Sequence, residues 1–340
     1  MNIPAPAQFP APEPVELTPE ILDRARGTLL AAACGDALGV PYEFDPRRES
    51  NPQMIGGGLG PYAPGQWSDD TEMSICVAKV AATGLPLTGG NAPDRIGANF
   101  LDWLRDGALD VGIQTRAVLE AAQEMGRGDI SDRLTQAARD YAAQSGRGAG
   151  NGALMRTAPV GLVSLGSRET TARAAIAVAR LTHADPLVDD SCVLWSEAIR
   201  HAVMTGEIAI RPGLDLLNPD SAAYWSAVID DAEAGKANAH QNGFTVNALA
   251  CAWQAVWGAR GLSGEAAIRE GIVGAIRLGS DTDTVASIAG SLLGAAHGAS
   301  SVPAEWVAVV HGWPGMTATE YADLGEKIVR ETQRRVLPSD

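Results

Sequence analysis

The chain has 340 residues, of which 46% are hydrophobic and 20% charged, and it carries a formal net charge of -15 at pH 7. This length and composition are those of a globular protein with a sizeable core. The excess of acidic residues argues against a general affinity for nucleic acid or for an anionic membrane surface.

Cysteine usage and the N-terminal sequence indicate a reducing compartment. The cysteines lie in apolar helical contexts without a CxxC pair, so we expect buried thiols rather than disulfides or a zinc site. The N-terminus lacks the basic start and apolar core of a signal peptide, and no apolar run reaches membrane-spanning length. We therefore expect a cytoplasmic protein. The cysteines are Cys34, Cys76, Cys192 and Cys251.

The first third of the chain begins with a proline-rich segment and contains a long irregular loop. Five prolines within residues 1–17 predict an extended, disordered tail. Thr18 and Pro19 supply an N-cap and a proline at the first helical position. The helix they open is predicted to end near residues 35–39. Glycine and proline interrupt residues 40–67 throughout, and a connection of this length between two motifs predicts a functional loop.

Helical spacing of apolar residues dominates the rest of the chain, beginning with a helix capped by Ser68 that buries one face. Strand-like alternation is almost absent. A capping box at Thr317 opens the last helix. The other predicted helices cover about 93–105, 115–126, 131–144, 167–182, 187–205, 220–233, 244–258, 264–278 and 283–298. The sequence predicts one compact all-α domain over residues 18–340.

Two acidic stretches, residues 67–71 and 279–284, each lead into an apolar helical pattern. Carboxylates this close repel one another unless positive charge lies between them. Four carboxylates with the hydroxyls of Ser68, Thr71 and Thr284 form an all-oxygen ligand set, which suits Mg²⁺, Mn²⁺ or Ca²⁺ better than zinc. Such a set could hold two ions that activate a bridging water. Taken alone, however, each stretch is more often a helix cap or a turn.

Other residues have similarly open interpretations. Glu43 lies in the irregular loop and is either a general acid/base, a lid residue or a solvated surface carboxylate. The glycine-rich residues 148–152 precede a helical pattern and could present backbone N–H groups to a diphosphate, although they match no phosphate-binding fingerprint. His183 at a helix end could cap carbonyls, and Phe244 could be a core residue or stack on a ring.

Six motifs, in this order, resemble the ADP-ribosylglycohydrolase family. Each is weak alone, but six in the right order are a specific signal, and they span about residues 27 to 298. The motifs are residues 35–39 with Glu43 downstream, 67–71, 110–116, 150–156, 182–185 and 279–284.

The resemblance implies an all-α fold with a dinuclear Mg²⁺ or Mn²⁺ centre in a cleft. It places Glu43 and Asp281 as catalytic carboxylates, His183 near the substrate diphosphate and Phe244 against the adenine. The diphosphate itself would lie on Gly148, Ala149, Gly150, Asn151 and Gly152. The metal ligands implied are Ser68, Asp69, Asp70, Asp281, Asp283 and Thr284.

The implied reaction is hydrolysis of the bond at ribose C1″ of an ADP-ribosyl group on a protein or a small molecule. Asp110 matches a position that holds the guanidinium in arginine-directed members, which favours an arginine-linked substrate. Ile113 departs from the polar Asn often found in that motif, so serine-linked and O-acetyl-ADP-ribose stay open. A dinuclear-metal nucleotide phosphoesterase and a catalytically silent ADP-ribose-binding protein are the alternatives. The sequence does not define the target, the preferred metal or the oligomeric state.

Overall fold

The computed structural model describes residues 12–45 and 51–337, and helices make up nearly all of their regular structure. The α-helices are α1 (Pro19–Gly39), α2 (Asp69–Ala81), α3 (Ala92–Arg105), α4 (Ile113–Met125), α5 (Ile130–Ser145), α6 (Arg168–Ala179), α7 (Pro186–Thr205), α8 (Pro219–Glu233), α9 (Thr245–Gly258), α10 (Gly264–Leu278), α11 (Thr282–His297), α12 (Ala304–Val307) and α13 (Ala318–Val336). Short 3₁₀ turns cover Val40–Tyr42, Ala158–Leu162, Arg211–Leu216, Ala239–Gln241 and Ala299–Ser301. Strands β1 (His311–Gly312) and β2 (Met316–Thr317) form an antiparallel pair. The predicted all-α fold is confirmed.

The first and last helices begin where their capping residues predict. The hydroxyl of Thr18 accepts a hydrogen bond from the N–H of Ile21 at 3.3 Å, and Pro19 stands at the start of α1. Thr317 and Glu320 form the reciprocal bonds of a capping box at the start of α13. In both places a short polar side chain satisfies a main-chain donor that has no partner inside the helix.

Helix α6 is shorter than the predicted 167–182, because it ends at Ala179. The N–H groups of Thr182 and His183 both turn back to the carbonyl of Ala179, at 3.2 and 3.0 Å. This tight turn closes the helix, so Thr182 and His183 leave the helical path.

Helices α1 and α11 pack directly against each other and run antiparallel through the core. A Cβ added to Gly39 would lie 2.4 Å from the Cα of Asp283, and one added to Gly27 would lie 2.4 Å from the Gly294 carbonyl oxygen. Glycine allows this approach at both ends of the pair because it has no side chain. The packing brings the end of α1, with Asp36, against the start of α11.

Helix α2 is buried on all sides, whereas the sequence predicted a single buried face. Every residue of the helix except Lys79 is buried, including Asp69, Asp70 and Glu72. The prediction was wrong because an apolar pattern reveals only those faces that pack against hydrophobic residues. The start of α2 is buried against polar groups instead.

Part of the predicted tail lies against the domain, and residues 1–11 lie outside the described residues. The N–H of Glu13 donates to the Gly166 carbonyl at 3.3 Å. Val15 and Leu17 are half-buried against the core. The predicted boundary at residue 17 therefore stays a prediction.

The cysteines lie in the core as buried thiols, as the sequence predicted. All four cysteines are buried and unpaired, and burial raises the pKa of each thiol. No helix in the described ranges has both the length and the apolar character needed to cross a membrane.

Candidate functional site

Carboxyl groups from separate parts of the chain converge where α1, α2 and α11 meet. Carboxylate oxygens of Asp36, Asp70 and Asp283 lie within 4.8 Å of one another, and so do those of Glu43, Asp281 and Asp283. Asp283 belongs to both triplets. We call these five residues the acidic cluster. Two triplets that share one carboxylate are suited to two neighbouring cations.

Asp36 organises the start of α2, a role that the sequence did not reveal. Its Oδ1 accepts from the Ser68 N–H at 2.9 Å and lies 2.8 Å from the Ser68 hydroxyl. Its Oδ2 accepts from the Thr71 N–H at 3.0 Å and from the Thr71 hydroxyl at 2.6 Å. Ser68 occupies the predicted N-cap position, but its side chain makes no capping bond. The predicted cap was therefore wrong in mechanism, because a carboxylate from α1 does the capping.

The predicted hydroxyl ligands lie beside the acidic cluster. The Ser68 and Thr284 hydroxyls lie 3.1 and 3.2 Å from the same oxygen, Oδ2 of Asp70. Among the residues that the structure describes, Asp69 belongs to neither triplet. Burial raises its pKa well above the usual value, and the next contribution comes from the charge of Asp110. Asp69 is therefore close enough to Asp110, the residue predicted to bind a guanidinium, to be affected by its charge.

The loop that carries Glu43 is tied to the start of α11. The Phe44 N–H donates to the Ser280 carbonyl at 2.7 Å, and both residues have positive φ, 51° and 62°. The hydroxyl of Thr282 donates to the Gly39 carbonyl at 2.9 Å. These bonds hold the Glu43 carboxyl group next to the carboxylates of α11. That this loop is functional stays a prediction, and its position brings Glu43 to the acidic cluster.

Asn242 fixes the turn before α11, and the sequence gave no indication of this role. Its Nδ2 donates to the Gly279 carbonyl at 3.0 Å, and its Oδ1 accepts from the Asp281 N–H at 3.1 Å. Asn151 reaches the same turn from the glycine-rich segment, donating from Nδ2 to Asp281 Oδ2 at 2.8 Å. Asparagine side chains thereby join the acidic cluster to residues 148–152.

Burial and mutual repulsion raise the pKa of the carboxyl groups in the acidic cluster. Burial raises the pKa of Glu43 to about 8, with further increases from Asp281, Asp110 and Asp36. Burial and neighbouring carboxylates also raise the pKa of Asp70 well above its usual value. Oδ1 of Asp70 is buried and has no hydrogen-bond partner in the described part of the chain. A set of oxygen ligands with an orphaned carboxylate oxygen fits Mg²⁺ or Mn²⁺, whose charge would remove the repulsion.

Residues 148–152, which we call the glycine turn, pack against the segment that leads into α9. The Thr245 N–H donates to the Ala149 carbonyl at 3.0 Å, and the Asn151 N–H donates to the Gly243 carbonyl at 3.1 Å. These bonds form an isolated antiparallel bridge between Gly150 and Phe244. They fix the turn beside the N-terminus of α9.

In the glycine turn, four of the five carbonyls accept hydrogen bonds, whereas most of the N–H groups make none with the residues that the structure describes. The carbonyl of Gly148 accepts from Gln114 Nε2 at 3.1 Å, and that of Gly152 accepts from Arg156 Nη1 at 3.2 Å. Within the described ranges, no hydrogen bond is made by the N–H groups of Gly148, Ala149, Gly150 or Gly152. Successive N–H groups without acceptors are suited to an anion such as a diphosphate.

The remaining predicted substrate residues surround this turn. A Cβ added to Gly150 would lie 3.2 Å from Nε2 of the buried His183 ring. Phe244 occupies the N-cap position of α9 and is 36% exposed, so it is not a core residue. Asp110 is half-buried in the connection between α3 and α4, and Ile113 at the start of α4 is exposed. The structure thus gathers the predicted residues around one region, with Asp36 and Asn242 added to them.

An all-α fold that holds a buried, oxygen-only acidic cluster next to a turn with available N–H groups is the architecture implied by the sequence resemblance. The family model described as ADP-ribosylglycohydrolase matches residues 17–337. The chain therefore belongs to the ADP-ribosylglycohydrolase family, and it is a glycohydrolase-type enzyme.

Relatives and a solved structure agree with this assignment. The chain is 33% identical over 308 residues to the ADP-ribosylarginine hydrolase Tri1 of Pseudomonas putida (strain GB-1), covering 86% of this chain and 75% of that protein. It is 27% identical over 337 residues to the ADP-ribosyl-dinitrogen reductase glycohydrolase of Rhodospirillum rubrum, covering 94% and 96%. A solved ADP-ribosylglycohydrolase-related protein complex superposes with a TM-score of 0.69 at 28% identity, covering 93% of this chain and 100% of that one.

Proposed function

We propose that the protein hydrolyses the bond at ribose C1″ of an ADP-ribosyl group, releases ADP-ribose and favours an arginine-linked substrate. The observation that carries this proposal is the hydrogen bond from Asn151 to Asp281, which connects the glycine turn to the acidic cluster. One side offers ligands for cations, and the other offers donors for a diphosphate. Two Mg²⁺ or Mn²⁺ ions would bind to the acidic cluster, and the diphosphate of an ADP-ribosyl group would bind to the N–H donors of the glycine turn.

The proposed ligands of the two ions come from α2 and α11. The ions, when bound, supply a water of lowered pKa and a template for the ribose hydroxyls. Asp36 keeps the α2 ligands in place through its bonds to Ser68 and Thr71. Asn242 does the same for the turn before α11. The proposed ligands are Ser68, Asp69, Asp70, Asp281, Asp283 and Thr284.

Glu43 and Asp281 are the proposed catalytic carboxylates. Burial is the largest cause of the raised pKa of Glu43, and it persists when cations neutralise the neighbouring carboxylates. A group that exchanges its proton near the working pH is suited to general acid/base catalysis. The Asp281 side chain is fixed by Asn151, so it is oriented before substrate binds.

The arginine linkage is supported by Asp110 and by the relatives. The charge of Asp110 contributes to the raised pKa of both Glu43 and Asp69, so these groups share one region. A carboxylate in that place can pair with a guanidinium leaving group. The printed name of the Pseudomonas relative, an ADP-ribosylarginine hydrolase, points to the same linkage. The proposed partners are an ADP-ribosylated protein or a small ADP-ribosyl compound.

A panel of linkage-defined substrates tests the proposal. ADP-ribosylarginine, ADP-ribosylserine, O-acetyl-ADP-ribose and ADP-ribose are each incubated with Mg²⁺, with Mn²⁺ and with a chelator. We expect free ADP-ribose from the arginine substrate, dependent on metal. Release of AMP from ADP-ribose would instead favour a phosphoesterase, and binding without turnover would indicate a catalytically silent protein. Preferred cleavage of an O-linked substrate would contradict the arginine assignment alone.

A further inference from the structure

A chain of hydrogen bonds leads from Arg156 through Thr182 to the ring of His183. The Arg156 guanidinium is fully buried, packs 4.6 Å from the centre of the Phe100 ring and donates from Nη2 to the Thr182 hydroxyl at 2.7 Å. Its Nη1 donates to the carbonyl of Gly152 in the glycine turn at 3.2 Å. Arg156 thus contacts both the turn and the residue before His183.

The Thr182 hydroxyl has one proton and only one place to donate it. Its Oγ1 lies 2.7 Å from Arg156 Nη2 and 2.7 Å from His183 Nδ1. A guanidinium has no acceptor, so Oγ1 must accept from Arg156. Within the described ranges, Nδ1 is the only available acceptor for the buried hydroxyl proton. The alternative, a donating Nδ1–H, would leave that proton without a partner. The ring proton of a neutral His183 therefore belongs on Nε2.

Nε2 of His183 lies against the glycine turn. It would be 3.2 and 3.3 Å from Cβ atoms added to Gly150 and Gly152. The side chain is 1% exposed, and Nε2 has no hydrogen-bond partner in the part of the chain that the structure describes. Burial and the charge of Arg156 hold the pKa of His183 well below its usual value, so the ring is neutral. One unpartnered N–H thus lies beside the available N–H groups of the turn.

We propose that Arg156 and Thr182 are positioning residues that hold His183 as the Nε2–H tautomer, whose N–H donates to a diphosphate bound at the glycine turn. The part that concerns the diphosphate rests on the proposed function, and the tautomer does not. The opposite tautomer would place a lone pair against the anion and repel it. Fixing the proton on Nε2 gives the site a donor that needs no rearrangement when substrate arrives.

Nitrogen NMR of the histidine rings tests the tautomer in the ligand-free protein. The chain has only 5 histidines, and a His183→Asn variant identifies the signals of this ring. We expect a protonated Nε2 and an unprotonated Nδ1 in the wild-type protein and in Thr182→Ser. A protonated Nδ1 in the wild-type protein would overturn the proposal. Thr182→Val, which lacks the hydroxyl, should populate both tautomers.

Calorimetric titration with ADP-ribose tests the donor role. We expect affinity about tenfold lower for His183→Leu, which removes the Nε2–H donor. For Thr182→Val and Thr182→Ser we expect a loss of no more than about twofold, because a mixed population of tautomers lowers the competent fraction only to about one half. If Thr182→Val does not fold, the wild-type tautomer and Thr182→Ser still decide the question. Unchanged affinity in His183→Leu would overturn the donor role. A wild-type protein with Nε2–H that does not bind ADP-ribose would support the tautomer and contradict the proposed function.

Discussion

The acidic cluster and the glycine turn meet at the hydrogen bond between Asn151 and Asp281, and they differ in what each lacks. The cluster contains a buried carboxylate oxygen, Asp70 Oδ1, that has no hydrogen-bond partner within the described ranges. The turn contains main-chain N–H groups that have no acceptors within the described ranges. Buried polar groups are normally satisfied, so the orphaned Asp70 oxygen indicates that something binds at the cluster. The half-buried part of the turn offers N–H donors that a ligand can use.

The two regions are also built differently. Side chains from α1, α2, α11, the loop after α1 and the turn before α11 form the acidic cluster, so its charge depends on residue identity. The main chain forms the donors of the glycine turn, and side chains such as Gln114 and Arg156 only hold the carbonyls on the other side. Substitutions in the acidic cluster should therefore affect the chemical step, and substitutions in the glycine turn should affect substrate binding.

Asp283→Asn should have the largest effect, because Asp283 is the only residue shared by the two triplets. We expect turnover of ADP-ribosylarginine to fall by roughly a thousandfold, the magnitude of losing a major electrostatic contribution to catalysis. Mn²⁺ binding, measured by calorimetry, should weaken in parallel. The matched control is Asp215→Asn at an exposed position, which should leave both unchanged. Normal metal binding in Asp283→Asn would show that the cluster is not the metal centre.

Asp110→Asn should slow cleavage of the arginine linkage selectively. We expect kcat/KM for ADP-ribosylarginine to fall about 30-fold, as for a lost hydrogen bond to a charged group. For ADP-ribosylserine, which has no guanidinium, the loss should be small. The exposed Asp106 provides the control variant, Asp106→Asn. Equal losses on the two substrates would mean that Asp110 does not recognise the leaving group.

Gly150→Ala should weaken substrate binding rather than the chemical step. The added Cβ would lie 3.2 Å from both Gln114 Oε1 and His183 Nε2, so the turn must shift by a few tenths of an ångström. We expect KM to rise about tenfold and kcat to change little, since one or two hydrogen bonds to the diphosphate weaken. Gly258→Ala, where an added Cβ meets nothing within 4 Å, is the control. A fall in kcat with unchanged KM would contradict the separation between the two regions.

The sequence predicted those parts of the fold and the site that depend on neighbouring residues. Caps at Thr18 and Thr317 gave correct helix starts, because a cap is read over a few positions. The acidic residues of α2 and α11 were recognisable because each group lies within one short stretch. The helix caps and the acidic stretches each lie within a few consecutive residues, so the sequence alone was enough to recognise them.

Contacts between distant segments could not be predicted in this way. Asp36 reads as one acid inside an Ala-rich helix, and only the approach of α1 to α2 shows that it caps the second helix. Asn242 reads as a loop residue until the turn at Gly279 lies beside it. The burial of α2 on all sides was missed for the same reason, since its polar residues are buried by a site and not by an apolar core.

The effect of Asp70→Asn on stability without metal should be the smallest effect of all, and it tests whether the carboxylates of the acidic cluster repel one another when no cation is bound. Asp70 Oδ1 has no partner in the described structure, whereas Oδ2 lies near the Ser68 and Thr284 hydroxyls. An Asn oxygen can replace Oδ2, and its NH₂ group would take the place of the unpartnered Oδ1 within a cluster of carboxylates. In a chelator we therefore expect the melting temperature to rise by roughly 2 °C, because one repelling charge is replaced by a donor.

The same melting experiment with metal provides the contrast that decides this prediction. Mg²⁺ or Mn²⁺ should raise the melting temperature of the wild-type protein, since a ligand that binds only the folded state stabilises it. Asp70→Asn should respond much less, and Asp215→Asn should behave as wild type. If Asp70→Asn is less stable than wild type in chelator, the carboxylate of Asp70 stabilises the fold by itself. The acidic cluster would then be stable without a bound cation, and of the two regions only the glycine turn would have groups left for a ligand.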